Sequence, residues 1–116
     1  MPIPTKIKNQ IKQNPFYEKC CLTGDAREVI QWHHCYMYAG QQIQETWNII
    51  PVKFSLHSPY GISQSIHREG FKNKQRARKI ALERAIELYG SLEYLQDKYP
   101  KKDWHKEYKY LNSIKL

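Results

Sequence analysis

The run KNKQRARKIALERAIELY, residues 72–89, restricts the fold more than any other stretch of the chain. It is rich in helix formers, and Leu82, Ala85, Ile86 and Tyr89 fall at i, i+3, i+4 and i+7. That spacing predicts an amphipathic helix with one apolar face to bury. Gly90 then serves as a C-cap. Ser91 caps a second helix in SLEYLQDKY, with Glu93 and Tyr94 in its first turn and Pro100 as its stop. The C-terminal third is therefore helical over about residues 72–99, and the basic, aromatic tail 101–116 adds a last helical turn or two.

The rest of the chain must supply what this helix packs against. With 116 residues, 41% of them hydrophobic, there is enough for one domain and one core. Nine tyrosines and three tryptophans mean that a few large side chains make up much of that core. Upstream of the helix the pattern is irregular. The arm to Asn14 is polar and basic, with a short helix over 5–13 as one reading. Residues 15–25 read as a loop with a turn at Thr23-Gly24-Asp25. Residues 27–34, REVIQWHH, suit a short strand, and YAGQQ reads as a loop around Gly40. TWNIIPVKFSLH fits either a strand, by its Val, Ile and Phe, or a helix starting at Pro51. No repeat and no low-complexity segment interrupts this order. The expectation is an α+β fold: a short arm, a β-rich centre and a helical C-terminal third.

Charge narrows the partners. Nineteen Lys and Arg against eleven Asp and Glu give a net charge of +8, which favours a polyanion, nucleic acid first and an anionic membrane surface second. No run of 18 apolar residues is present, so no transmembrane helix is expected. The first sixteen residues lack the apolar stretch of a signal peptide, which leads to the expectation of a cytosolic protein. Three cysteines, Cys20, Cys21 and Cys35, fit that compartment, since an odd number with two adjacent makes a poor disulfide framework.

Four of the five histidines, His33, His34, His57 and His67, fall in the irregular centre rather than along a helix face. Neutral imidazole is the commonest protein ligand for borderline cations, and a catalytic metal site needs only two or three protein ligands. Phosphodiester hydrolysis needs a base for water and a cation for the phosphate, and these four side chains can supply both. On a strand, neighbours point to opposite faces, so His33 and His34 divide their duties more easily than they share one ion. A structural zinc with the cysteines is a competing reading, but no CxxC pair is present.

The spacing His34, Asn48, His57, within WHHCYMYAG…WNIIPVKFSLH, resembles the HNH endonucleases, the ββα-metal or His-Me finger nucleases. Members of that family carry a histidine at the end of a first strand, usually after Asp, Glu or His. An asparagine then opens an N-L/I-x-P/L segment, and a metal-binding histidine stands nine residues on. Here the segment is NIIPVKFSLH, and CCLTG looks like the cysteine-containing turn before the motif. The match is clear over about residues 20–70. A weaker likeness to about residue 99 is with small phage-type HNH proteins associated with recombination.

The resemblance implies a single HNH-type nuclease domain over 1–116 with a small ββα-metal core, and a source in a bacterial or phage-infected cell. It implies His33 as a metal ligand, His34 as the general base, Asn48 as a positioning amide, His57 as a second ligand and His67 as a third. It implies one divalent cation, Mg²⁺ or Mn²⁺, with Zn²⁺ or Ni²⁺ able to occupy the site. The chain departs from many members in lacking two CxxC pairs around the motif. Its His57–His67 linker is long for two ligands of one ion, which a tight turn at Pro59-Tyr60-Gly61 could bring together.

The resulting expectation is metal-assisted hydrolysis of a DNA phosphodiester. Arg68, Lys72, Lys74, Arg76, Arg78 and Lys79 would make phosphate contacts that carry affinity without sequence reading. A solvated helix face is the plain alternative for that basic run. A catalytically inactive nucleic-acid-binding module and a small structural zinc domain compete with the nuclease reading.

Overall fold

The computed structural model of the chain describes residues 3–57 and 68–116, and at 68–70 the backbone only. The described residues form an α+β fold with five helices and two small antiparallel sheets.

The N-terminal arm is helix α1, Thr5–Lys12, followed by a 3-10 turn over Pro15–Glu18. Strand β1, Ile30–His34, pairs antiparallel with β4, Ile49–Lys53, in the register Trp32↔Pro51, His33↔Ile50, His34↔Ile49. Between them, β2 (Met37–Tyr38) and β3 (Gln41–Gln42) make a second hairpin. The loop expected around Gly40 is thus a turn between strands. Ala39 and Gly40 both take positive φ, 52° and 80°, as a two-residue type I′ hairpin turn requires. Two-residue strands carry too little alternation to show in sequence.

Pro51 lies inside β4 and starts no helix; α2 begins three residues later and covers a single turn, Phe54–His57. The position tolerates proline for a geometric reason. The flanking backbone bonds, Cys35 N–H to Asn48 O and Phe54 N–H to Val29 O, place Trp32↔Pro51 at a non-hydrogen-bonded pair, where β4 owes its partner no N–H. The Pro51 carbonyl instead accepts from the Cys21 N–H at 3.0 Å.

The β1–β4 hairpin is covered on both faces. Ile49 packs with Ile11 and Tyr17 beneath the arm, with Trp32 against them. Ile50 and Val52 face the main core, against α3, Arg68–Tyr89. Ala77, Ala81 and Ala85 lie on α3 at four-residue steps and are fully buried. Small side chains there let the helix approach the strand and Trp47 closely. The predicted apolar face is therefore shifted. Leu82 and Ala85 are core, but Tyr89 is exposed and stacks on Tyr94, with ring centroids 3.8 Å apart. Gly90 ends α3 with φ +82° and its N–H on the Ile86 carbonyl, the left-handed C-cap expected of it.

Helix α4 is Glu93–Lys98, and the Ser91 hydroxyl accepts from the Glu93 N–H. The tail is a full ten-residue helix, α5, Trp104–Ser113, rather than a turn or two. Asp103 caps it by accepting from the Lys106 N–H, and Trp104 and Leu111, two turns apart, are completely buried. Trp104 meets Trp47 edge-on at 5.9 Å and Tyr36 at 5.2 Å. These rings, with Leu82, Leu95 and Leu111, close the core, each buried leucine contributing roughly 1.5–3 kcal/mol. Among the described residues no helix is long and apolar enough to cross a membrane.

Candidate functional site

The site is built on the end of the β1–β4 hairpin. Side chains alternate along β1, so His33 points toward the α3 side with Gln31, while His34 points the other way. Helix α2 packs on both β1 and β4 and returns His57 to the first of these faces. The His33 and His57 rings meet edge-on with centroids 5.2 Å apart, although 24 residues separate them in the chain. The proposed pair is therefore brought together, by a one-turn helix that starts at Phe54.

Two glutamine amides fix the imidazoles. Gln31 Oε1 lies 2.8 Å from His57 Nδ1. An amide oxygen only accepts, so Nδ1 carries the proton and the Nε2 lone pair is left for a cation or a second donor. Gln44 Oε1 lies 2.9 Å from His34 Nε2. The same logic places the proton on Nε2 and leaves Nδ1 basic. Burial, followed by the nearby His57 and His34 and the cations of Arg78 and Lys74, pushes the His33 pKa down to about 4. Burial and then His34 lower that of His57. Both rings are thus held neutral, the form that ligates metals.

Asn48 is completely buried at the end of a 3-10 turn, Thr46–Asn48, just before β4. Its Oδ1 accepts from the Tyr36 N–H at 2.8 Å. Its Nδ2 donates to the carbonyls of Tyr36 at 3.0 Å and Ile43 at 2.9 Å. One amide therefore pins both ends of the excursion that contains β2 and β3. The segment leaving His34 cannot shift without breaking these bonds.

His67 lies outside the described residues, and Arg68 contributes backbone only. Among the described residues no group of three His, Cys, Asp or Glu side chains converges on one point. Among the described residues the candidate donors for a cation are His33 and His57, and their neutral rings fit that use. The three cysteines are free thiols, and Cys35 Sγ donates to the Ala77 carbonyl inside the core.

The basic run divides between two sides of α3. Lys74 and Arg78, one turn apart, line a cleft of about 360 Å³ together with His33, His34, Tyr36 and Lys102. Arg76 and Lys79 lie about half a turn around the helix from them. They line a different depression with Cys21 and Ile80, and Arg76 also bonds the Leu116 carbonyl. Lys72, one turn before Arg76, is half-buried and falls on that second side of the helix wheel.

Gln31, Gln44 and Lys102 belong to the site but carry no motif. Gln31 has a detectable signal, since it stands two residues before His33 and so shares its strand face. Gln44 reaches His34 across ten residues of loop, and Lys102 reaches the cleft from the α4–α5 turn; neither leaves a local pattern. A scan against protein-family models, a search of curated proteins and a search of solved structures each found no match to this chain.

Proposed function

We propose that this protein is a metal-dependent DNA endonuclease of the HNH type, with the hairpin β1–β4 and helix α2 as its ββα-metal core. The observation that carries the reading is the placement of three histidines. His33 and His57 face one another as neutral rings, while the adjacent His34, held through Nε2 by Gln44, also lines the cationic cleft.

His33 and His57 would hold one divalent cation, with His67 as the third ligand. Bound there, Mg²⁺ or Mn²⁺, or Zn²⁺ or Ni²⁺ in their place, would supply Lewis-acid stabilisation of the phosphate and the departing oxygen. His34 Nδ1 accepts the proton of the attacking water, the general-base work that histidine most often does. Gln44 holds that ring and its tautomer, and Asn48 holds the backbone behind it. Lys74 and Arg78 contact the DNA backbone, giving affinity without sequence reading. The free thiols fit a cytosolic enzyme.

Plasmid nicking with Mg²⁺ or Mn²⁺, with and without EDTA, tests this. Wild type should nick only with metal, and His34→Ala should be at least 100-fold slower. A wild type that never nicks, or a His34→Ala variant that nicks as fast, sinks the mechanism. A second reading, nucleic-acid binding without cleavage, draws on the cationic lining of the cleft alone. It predicts DNA binding that is unchanged by metal and no nicking under any condition.

A further inference from the structure

The cleft beside His33 and His34 has an unusual charge balance. Lys74 and Arg78 enter it from α3, and Lys102 enters from the turn between α4 and α5. Among the described residues, none of these three cations lies within 4.0 Å of a carboxylate. A guanidinium and two ammonium groups that line one cleft, with no carboxylate partner among the described residues, give an anion several charge-assisted donors.

Among the described residues, the one acid lining the cleft is already engaged. Glu107 Oε2 accepts the Tyr36 hydroxyl proton at 2.7 Å. The Tyr36 ring in turn supports two of the cations. Arg78 Cζ lies 5.4 Å and Lys102 Nζ 5.5 Å from its centroid, and Lys102 Nζ is also 5.6 Å from the Trp104 ring. The negative faces of these aromatics offset part of the repulsion between the cations and hold them in place before any ligand arrives. Tyr36 is itself anchored, by its edge-on contact with Trp104 and by the double backbone clasp of Asn48. The same asparagine that secures the His34 segment therefore sets the pedestal of the cation pair.

We propose that Lys102 and Arg78, seated on Tyr36, form a subsite for a backbone phosphate of the nucleic acid, next to the phosphate addressed by His34. The proposal rests on the nuclease reading for the position of the reacting phosphate, but not for the subsite itself. The strand would run between α3 and the α4–α5 turn, so the C-terminal third takes part in substrate binding as well as closing the core. Arg78 supplies a planar fork of donors and Lys102 a point charge, a combination that suits a tetrahedral phosphate and reads no base.

The test measures binding of a fluorescently labelled DNA duplex in EDTA, from 50 to 200 mM salt. Wild type is compared with Lys102→Met, which keeps the apolar stem over Trp104, and Lys102→Arg, which keeps the charge. Lys102→Met should bind roughly 3- to 10-fold more weakly, and its plot of log affinity against log salt should be shallower by about 0.9, the loss of one phosphate contact. Lys102→Arg should restore both. An unchanged affinity and slope in Lys102→Met overturns the subsite. So does an equal loss in Lys102→Arg, which would mark a packing effect rather than a charge. Nicking by wild type, run in parallel with metal, separates the two ideas. Binding that depends on Lys102 in a protein that never nicks would retain the subsite and remove the nuclease; nicking with no Lys102 effect would do the reverse.

Discussion

Asn48→Ala should be the most damaging single substitution near the site, and its cost follows from the three hydrogen bonds. The alanine leaves the Tyr36 N–H and the carbonyls of Tyr36 and Ile43 without their partner, in a place where Asn48 has no solvent exposure. Each buried polar group left unpaired costs about 1–3 kcal/mol, and water entering the vacated space recovers part of that. A net loss of about 3–5 kcal/mol follows, near the upper end for a point mutation. For a domain of 116 residues 1 kcal/mol corresponds to roughly 4 °C, so the melting temperature should fall by about 12–20 °C.

Asn48→Asp sharpens the test. Its Oδ1 still accepts from Tyr36 N–H, but the second oxygen meets two carbonyls where an amide donated. The folded state then favours the protonated acid, so its pKa rises above the unfolded value. Stability is recovered below the unfolded pKa, near 4, and lost as pH rises. Thermal melts of both variants between pH 4 and 8 check this. A loss under 1 kcal/mol for Asn48→Ala, or an Asn48→Asp deficit that does not shrink on acidification, would refute the view that this amide clasps the loop.

Two further outcomes follow from the same geometry. Removing the acceptor that orients His57, as in Gln31→Ala, should weaken Mn²⁺ binding measured by calorimetry about 10- to 100-fold with little change in melting temperature; equal affinity would show that the ring needs no orienting partner. Tyr17, whose hydroxyl donates to the Ile49 carbonyl at 2.6 Å, has its pKa pushed up to about 12 by burial, with Arg84 opposing. Above pH 10 the unfolded chain sheds that proton first, so up to about 3 kcal/mol is lost as pH climbs from 10 to 12. Alkaline denaturant titrations should show Tyr17→Phe losing less over that window than wild type, and parallel curves would argue against a buried neutral phenol.

The sequence by itself determined the local elements. Periodicity placed α3, Gly90 its end and Ser91 the first bond of α4, because caps and apolar spacing act within a few residues. It also marked His33, His34 and His57 as a group, and strand alternation was enough to send the adjacent pair to opposite faces. Tertiary structure decided what depends on contacts distant along the chain. Tyr89 fits the apolar repeat yet stays exposed, because its ring stacks on Tyr94 and its hydroxyl reaches Glu45 at the surface instead of entering the core. The tail became a whole helix because Trp104 and Leu111 found a core to bury in. The basic run looked uniform, but helical rotation sent Lys74 and Arg78 toward the histidines and Arg76 and Lys79 away. Lys102 joined them from the far end of the fold. Local spacing is written into neighbouring residues, whereas the company a side chain keeps is set by which surfaces the packed core leaves facing one another.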